Sequence, residues 1–351
     1  MRVSSDLRQE LLGYRGVSII KRSRIENGHT TQLNLTYFMT KRIPSLLYIC
    51  AVLALCAGGF AQTGNPQSQK PAGSTAPAAT STAPTQTPPA PAQPQAPALP
   101  PHKTPPAAKT ADEFAAYNAA VSNQDTAAAE KAADDFASKF PQSDLRGLLY
   151  GNIMRRYQAA NDSDKTLEMA RKVLTYEPND PVALVMAATV LAERTREGDL
   201  DREERYDEAI KDAQKTLETA NTDLMVPSGE TAEHIDAAKK VLLSMAHSAI
   251  GMVDLDRKND AGASQEFQQS IDLSTPGQVD PLTYLRLALA QDHLKRYPEA
   301  LSSANKAVES SPSNSPVAML AKQEVDRLTK LTGGSAPNPA PGTPPNAANP
   351  K

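Results

Sequence analysis

The chain has 351 residues and a formal net charge of −3, with 29 prolines, two cysteines and no tryptophan. Both cysteines, Cys50 and Cys56, lie in one apolar run, which excludes disulfides, thiol catalysis and cysteine-based zinc sites from everything beyond it. Charge is unevenly divided: residues 110–332 hold 25 Lys and Arg against 37 Asp and Glu, a balance of −12, which argues against nucleic acid and anionic lipid as partners.

Residues 39–61 read as a secretory signal. Met39-Thr-Lys-Arg is a short basic segment, an apolar stretch follows, and Gly59 and Ala61 stand at −3 and −1 of a cleavage site. An uncleaved anchor in the inner membrane is the alternative, because the apolar stretch is near the shortest length that spans a bilayer. A lipoprotein signal fits less well, since Leu55 precedes Cys56 where a small residue is needed. Residues 1–38 then read either as an upstream extension absent from the natural product or as a cytoplasmic tail. Export to the periplasm or cell envelope is the expected location.

From 62 to 109 the chain is almost entirely Pro, Ala, Thr, Gln and Ser, with three lysines and no acidic residue. Such a segment buries too little apolar surface to offset its conformational entropy, so a disordered, polyproline-biased spacer is expected. Residues 333–351 have the same composition and are expected to form a disordered tail.

Between them, 110–332 keeps a helical period. The first pair of helices is expected within 111–147 and the second over 147–178. Pro181 opens a third, whose two helices are separated by a charged run at 194–205 that reads as a helix extension or solvated loop. Asn221 to Glu230 is a break, with Pro227, Ser228 and Gly229 as turn signals. Thr231 is then placed to cap a long helix running to about Lys258, whose end begins the fourth pair. The fifth pair, at 281–312, reads PLTYLRLALAQDHLKRYPEALSSANKAVESSP, and 315–331 supplies one more amphipathic helix.

Counted from Pro281, Tyr284 falls at position 4, Leu287 at 7, Ala288 at 8, Ala300 at 20, Ala304 at 24, Ala307 at 27 and Pro312 at 32. This order of bulky and small residues resembles the tetratricopeptide repeat, a helix–turn–helix unit of 34 residues. The resemblance implies an all-α solenoid of about five such repeats plus a C-terminal capping helix. It also implies that positions 8 and 20 meet where the helices approach closely. The residues at position 20 are then Ala129, Thr166, Ala209, Ala263 and Ala300, at intervals of 37, 43, 54 and 37. Tyr157, Ala188, Gly251, Phe267, Ala288 and Ala307 take further packing positions. In the second unit Met154 at 8 and Thr166 at 20 depart from the pattern, so its helices are expected to splay.

In proteins of this family the first helices line a groove that holds a partner segment. By that resemblance the groove residues are Arg155, Val185, Thr189, Met245, Met252, Leu285 and Leu289, with Asp292 at its end. The apolar middle and its methionines would suit an adaptable surface, unless the long helix after 231 buries several of them.

Enzyme signatures are missing. There is no Gly-rich phosphate loop or nucleophile elbow, and His234, His247 and His293 lack the i, i+4 spacing of a zinc pair. The expectation is a non-catalytic scaffold with no cofactor or metal. It would bind another protein, with membrane contact only through an uncleaved signal; the alternatives are a structural envelope tether that self-associates or contacts cell wall and, last, a cell-wall-acting enzyme with an unrecognised site.

Overall fold

The computed structural model describes residues 99–333, so the signal segment, the extension before it, most of the proline-rich spacer and the tail beyond 333 lie outside the described residues. Eleven α-helices are present among the described residues: α1 (Ala111–Val121), α2 (Thr126–Lys139), α3 (Leu145–Ala159), α4 (Ser163–Tyr176), α5 (Pro181–Arg194), α6 (Arg202–Thr219), α7 (Ala232–Asp256), α8 (Asp260–Leu273), α9 (Pro281–His293), α10 (Tyr297–Ser310) and α11 (Pro316–Leu331). Each helix packs against the next in sequence, giving five hairpins and a terminal helix. The fold is an all-α solenoid.

Local chemistry sets the helix starts. Thr110, Asp125, Asp162, Asp180, Thr231, Asn259, Asp280 and Ser315 each accept a hydrogen bond from a backbone N–H of the first turn, satisfying donors the helix leaves free. Pro181, Pro281 and Pro316 occupy the first helical position, where a missing N–H costs nothing.

Three hairpins share one turn. Asn161, Lys258 and Lys295 each adopt positive φ, at 58°, 64° and 61°. The following residue then donates its N–H five residues back, from Asp162 to Tyr157, Asn259 to Asp254 and Arg296 to Gln291. This is the left-handed C-terminal stop of a helix, here built without glycine. The third hairpin differs: α5 ends at Arg194, a loop covers 195–201, and α6 begins at Arg202.

The small residues stand between the helices. Ala188, Ala209, Ala263, Ala288, Ala300 and Ala307 are fully buried, as is Phe267, and Ala129 and Gly251 are buried. Tyr157 is half-buried and donates its hydroxyl to Glu130 at 2.7 Å, tying α3 to α2. Met154 and Thr166 are also buried, in helices that pack together. Thr166 turns its hydroxyl onto the carbonyl of Asp162 at 2.6 Å, so its polar atom needs no room between the helices.

One apolar core runs from Tyr117 to Ala290, and two small clusters lie at its C-terminal end. One holds Leu285, Ala307, Leu320 and Ala321, the other Ala288, Ala300, Ala304 and Leu328. Between them on α11 stands Glu324, fully buried and four residues from both Leu320 and Leu328. Glu324 and the buried Asp292 of α9 both take Arg327, at 2.6 Å and 2.7 Å.

The sequence composition assigns 99–109 to the disordered spacer, yet in the structure this segment is a strap lying against the helical array. The amide of Lys103 donates to the carbonyl of Leu224 at 2.8 Å, and the amide of Val226 donates to the carbonyl of Lys103 at 2.9 Å. Composition cannot show such pairing, because the partner lies more than a hundred residues away.

Candidate interaction surface

First helices of neighbouring hairpins touch at three of the four steps, α1 with α3, α5 with α7, and α7 with α9, but not to that degree α3 with α5, while α9 also touches α11. Among the described residues no comparable contact joins successive second helices. The stack is therefore tighter on the side of the first helices, and that side is its inner face.

The groove residues inferred from the repeat positions divide into two groups there. Arg155, Thr189 and Met245 are each partly exposed, although the Thr189 hydroxyl is buried and Met245 also packs against the core. Arg155 donates to Asn152 at 2.9 Å. Val185 and Leu285 are fully buried, Leu289 is 2 % exposed and Met252 6 %. These four cannot meet a ligand in this conformation, which corrects the expected apolar groove.

The causes are local. Helix α7 has 25 residues, well beyond an ordinary repeat helix, and it packs along α5. Helix α5, PVALVMAATVLAER, has almost no polar face and is buried nearly all round, as such a helix must be. At the other end α11 crosses α9, so Leu285 packs with Leu320 and Ala321, and Asp292 pairs with Arg327 instead of facing a groove.

The outer side carries charge that is largely self-neutralised. An open cleft of about 440 Å³ lies between α4 and α6, lined by Asp164, Glu168, Arg171, Lys172 and Arg205 among others. Arg171 meets Glu208 at 2.6 Å and Lys172 meets Asp134 at 3.1 Å. Among the described residues no group of three or more His, Cys, Asp and Glu could hold a metal ion. No described helix is long and apolar enough to cross a membrane.

Acidic groups perturbed by their surroundings are scattered. Burial pushes the Asp180 carboxyl up against two backbone N–H bonds that favour its ionised form, and burial also raises Asp254 on α7. Asp212 on α6 is pushed up to about 6 by burial and by the nearby Glu208, with Lys211 and Arg171 opposing. A folded-state value above the ordinary 3.8 means the folded chain holds this proton more tightly. Stability from Asp212 is then fully present below about 3.8 and lost as pH rises through about 6. Asp212→Asn should accordingly raise stability by about 2 kcal/mol near pH 7.5 and by almost nothing near pH 3.5, as read by urea unfolding at both values.

The site that spacing alone did not reveal is the seat of the strap. Lys103 reaches Asp223 at 3.0 Å and Glu177 at 3.6 Å. Lys239 of α7, only 5 % exposed, donates to the carbonyl of Pro101 at 2.7 Å and to that of Asn221 at 2.9 Å. Burial pushes the Lys239 ammonium down from its ordinary value. The one signal in the sequence was a lysine on the buried side of a long helix.

The architecture defines the class, a solenoid of helical hairpins. No family model matches the chain, and no curated protein matches it. Among solved structures it is similar to the crystal structure of PilW, described as a widely conserved type IV pilus biogenesis factor. That likeness is 16 % identical, covers 64 % of this chain and 88 % of that one, and has a TM-score of 0.41.

Proposed function

We propose that this chain is a non-catalytic protein-interaction scaffold of the cell envelope, exported by residues 39–61 and presented on a proline-rich spacer. The observation that supports it is the use of the buried side chains: nearly all are spent on packing hairpin to hairpin, in a stack closed toward its first helices. Perturbed acids such as Asp180, which caps α5, Asp212 on α6 and Asp254 on α7 stand apart and do not converge on the open cleft. A partner would contact the part of the inner face that reaches solvent, around Arg155, Thr189 and Met245.

The test compares three exported full-length chains on an envelope extract. One is unaltered, one carries Arg155→Glu with Met245→Glu, and one carries Lys131→Glu with Lys211→Glu on exposed outer positions. Circular dichroism first establishes that all three are equally helical. A protein retained by the unaltered chain and the outer variant, and reduced about tenfold or more on the inner variant, is the expected result. Equal retention by all three overturns the inner-face assignment, and retention of nothing overturns the scaffold reading.

A further inference from the structure

The geometry points to a second binding site, on the seat formed by Glu177, Asp223, Leu224, Val226 and Lys239, for an extended, proline-flanked lysine segment whose resting occupant is the chain's own strap. This assignment is independent of the inner face, because it uses the ends of α4 and α6 and the side of α7.

The seat reads three features of an extended peptide. Its main chain meets both the N–H and the C=O of one residue, Lys103, in the manner of an added strand. Two carboxylates, Asp223 and Glu177, receive that residue's ammonium. The Lys239 ammonium takes a carbonyl two residues earlier, at Pro101. Prolines at 100, 101, 105 and 106 hold the segment near extended geometry before it docks, which lowers the entropy lost on binding.

Lys239 is the observation that marks a site instead of a chance contact. A buried ammonium is costly unless hydrogen-bonded, and the two carbonyls that accept from Lys239 both lie outside α7, where only the charge of Asp236 favours it. One acceptor comes from the loop after α6 and the other from the strap. The seat is therefore incomplete without a carbonyl from an extended segment.

The strap is also held lightly. Leu99, Pro101, Thr104, Ala107 and Lys109 are exposed, and Ala108 alone among its apolar residues packs against the core. Beyond the Lys103 and Lys239 contacts, the Lys109 side chain reaches the turn before α3, at Asp144 and the carbonyl of Gln142, and the Lys109 amide donates to Glu113 at the start of α1. A segment with so few buried contacts opens without unfolding the helices beneath it. Another chain's segment of the same chemistry could then take its place, with the strap acting as an intramolecular competitor at high effective concentration.

Two measurements on the full-length protein test this. In the unaltered chain the Val226 amide should exchange with solvent about tenfold or more faster than the Leu242 and Ala246 amides in the middle of α7, reporting strap release without unfolding. Equal rates would overturn the displaceable strap. The second uses a fluorescent peptide of the sequence LPPHKTPPAAK, residues 99–109, and follows its anisotropy. Lys103→Pro removes both the N–H and the ammonium of the resident strap, so that variant should bind the peptide about tenfold or more tightly than the unaltered chain. Adding Lys239→Met should abolish the gain. A helical Lys103→Pro chain that binds no better, or a gain that survives Lys239→Met, sinks the site.

Discussion

Arg327→Met should destabilise the C-terminal hairpin and its cap by about 3–5 kcal/mol, the usual consequence of removing one member of a buried ionic group. Glu324 is fully buried and takes the guanidinium through two bonds, at 2.6 and 2.9 Å, while Asp292 is nearly buried on α9 and takes it at 2.7 Å. Methionine fills a similar volume but supplies no donor, so both carboxylates keep their desolvation cost and lose the charge that offsets it. Because the hairpins form a quasi-one-dimensional stack, the damage should stay near α9 to α11. Limited proteolysis should cut around α11 while the α1–α4 region remains resistant. The variant Arg327→Met, Glu324→Leu, Asp292→Asn should recover most of the loss, since an apolar or neutral replacement of the whole group removes the stranded charges as well. A single variant as stable as the parent would mean that α11 does not seat on α9 as described.

Much of this fold was legible because its repeats rest on side-chain size at fixed intervals. Ala288, Ala300, Ala304 and Ala307 could be placed in the seam of the last hairpin from spacing, and each is fully buried. Thr231 could be placed as the cap of a long helix, and it accepts from the His234 amide. The turns were less visible. A left-handed helix stop usually advertises itself by glycine, whereas Asn161, Lys258 and Lys295 carry it here, and lysine gives no such signal.

The surface was harder still, for a different reason. Repeat position says which way a side chain points from its own hairpin, but not what a later segment lays over it. Val185 on α5 and Met252 on α7 stand where a groove would be and are buried, with α7 packing along α5; Leu285 packs against α11, and Asp292 pairs with its Arg327. The strap fails in the opposite direction. Its Pro-rich composition reads as unstructured, and its attachment depends on main-chain groups at 224 and 226 whose availability no local pattern encodes. Non-local contacts decide the functional surface, and helix periodicity is silent about them.

Gly251→Val should cost about 3 kcal/mol, and the smaller change Gly251→Ala settles the reason. Gly251 lies well inside α7, where replacing glycine by alanine ordinarily stabilises a helix by about 1 kcal/mol. Here a Cβ would stand 2.9 Å from two carbons of the Phe267 ring and 3.2 Å from a third. That ring is fully buried on α8, so it cannot swing into solvent to make room. Either the ring leaves its preferred rotamer or the two helices move apart and open the seam around Ala263. Gly251→Ala should therefore reverse the sign that helix propensity sets and lower the unfolding midpoint in urea. Pairing it with Phe267→Leu, which withdraws the clashing ring edge, should make the two changes markedly non-additive, with the alanine harmless or favourable in that background. A stabilising Gly251→Ala in the parent chain would instead mean that α7 and α8 do not approach closely there, and that glycine at this repeat position is not required by packing.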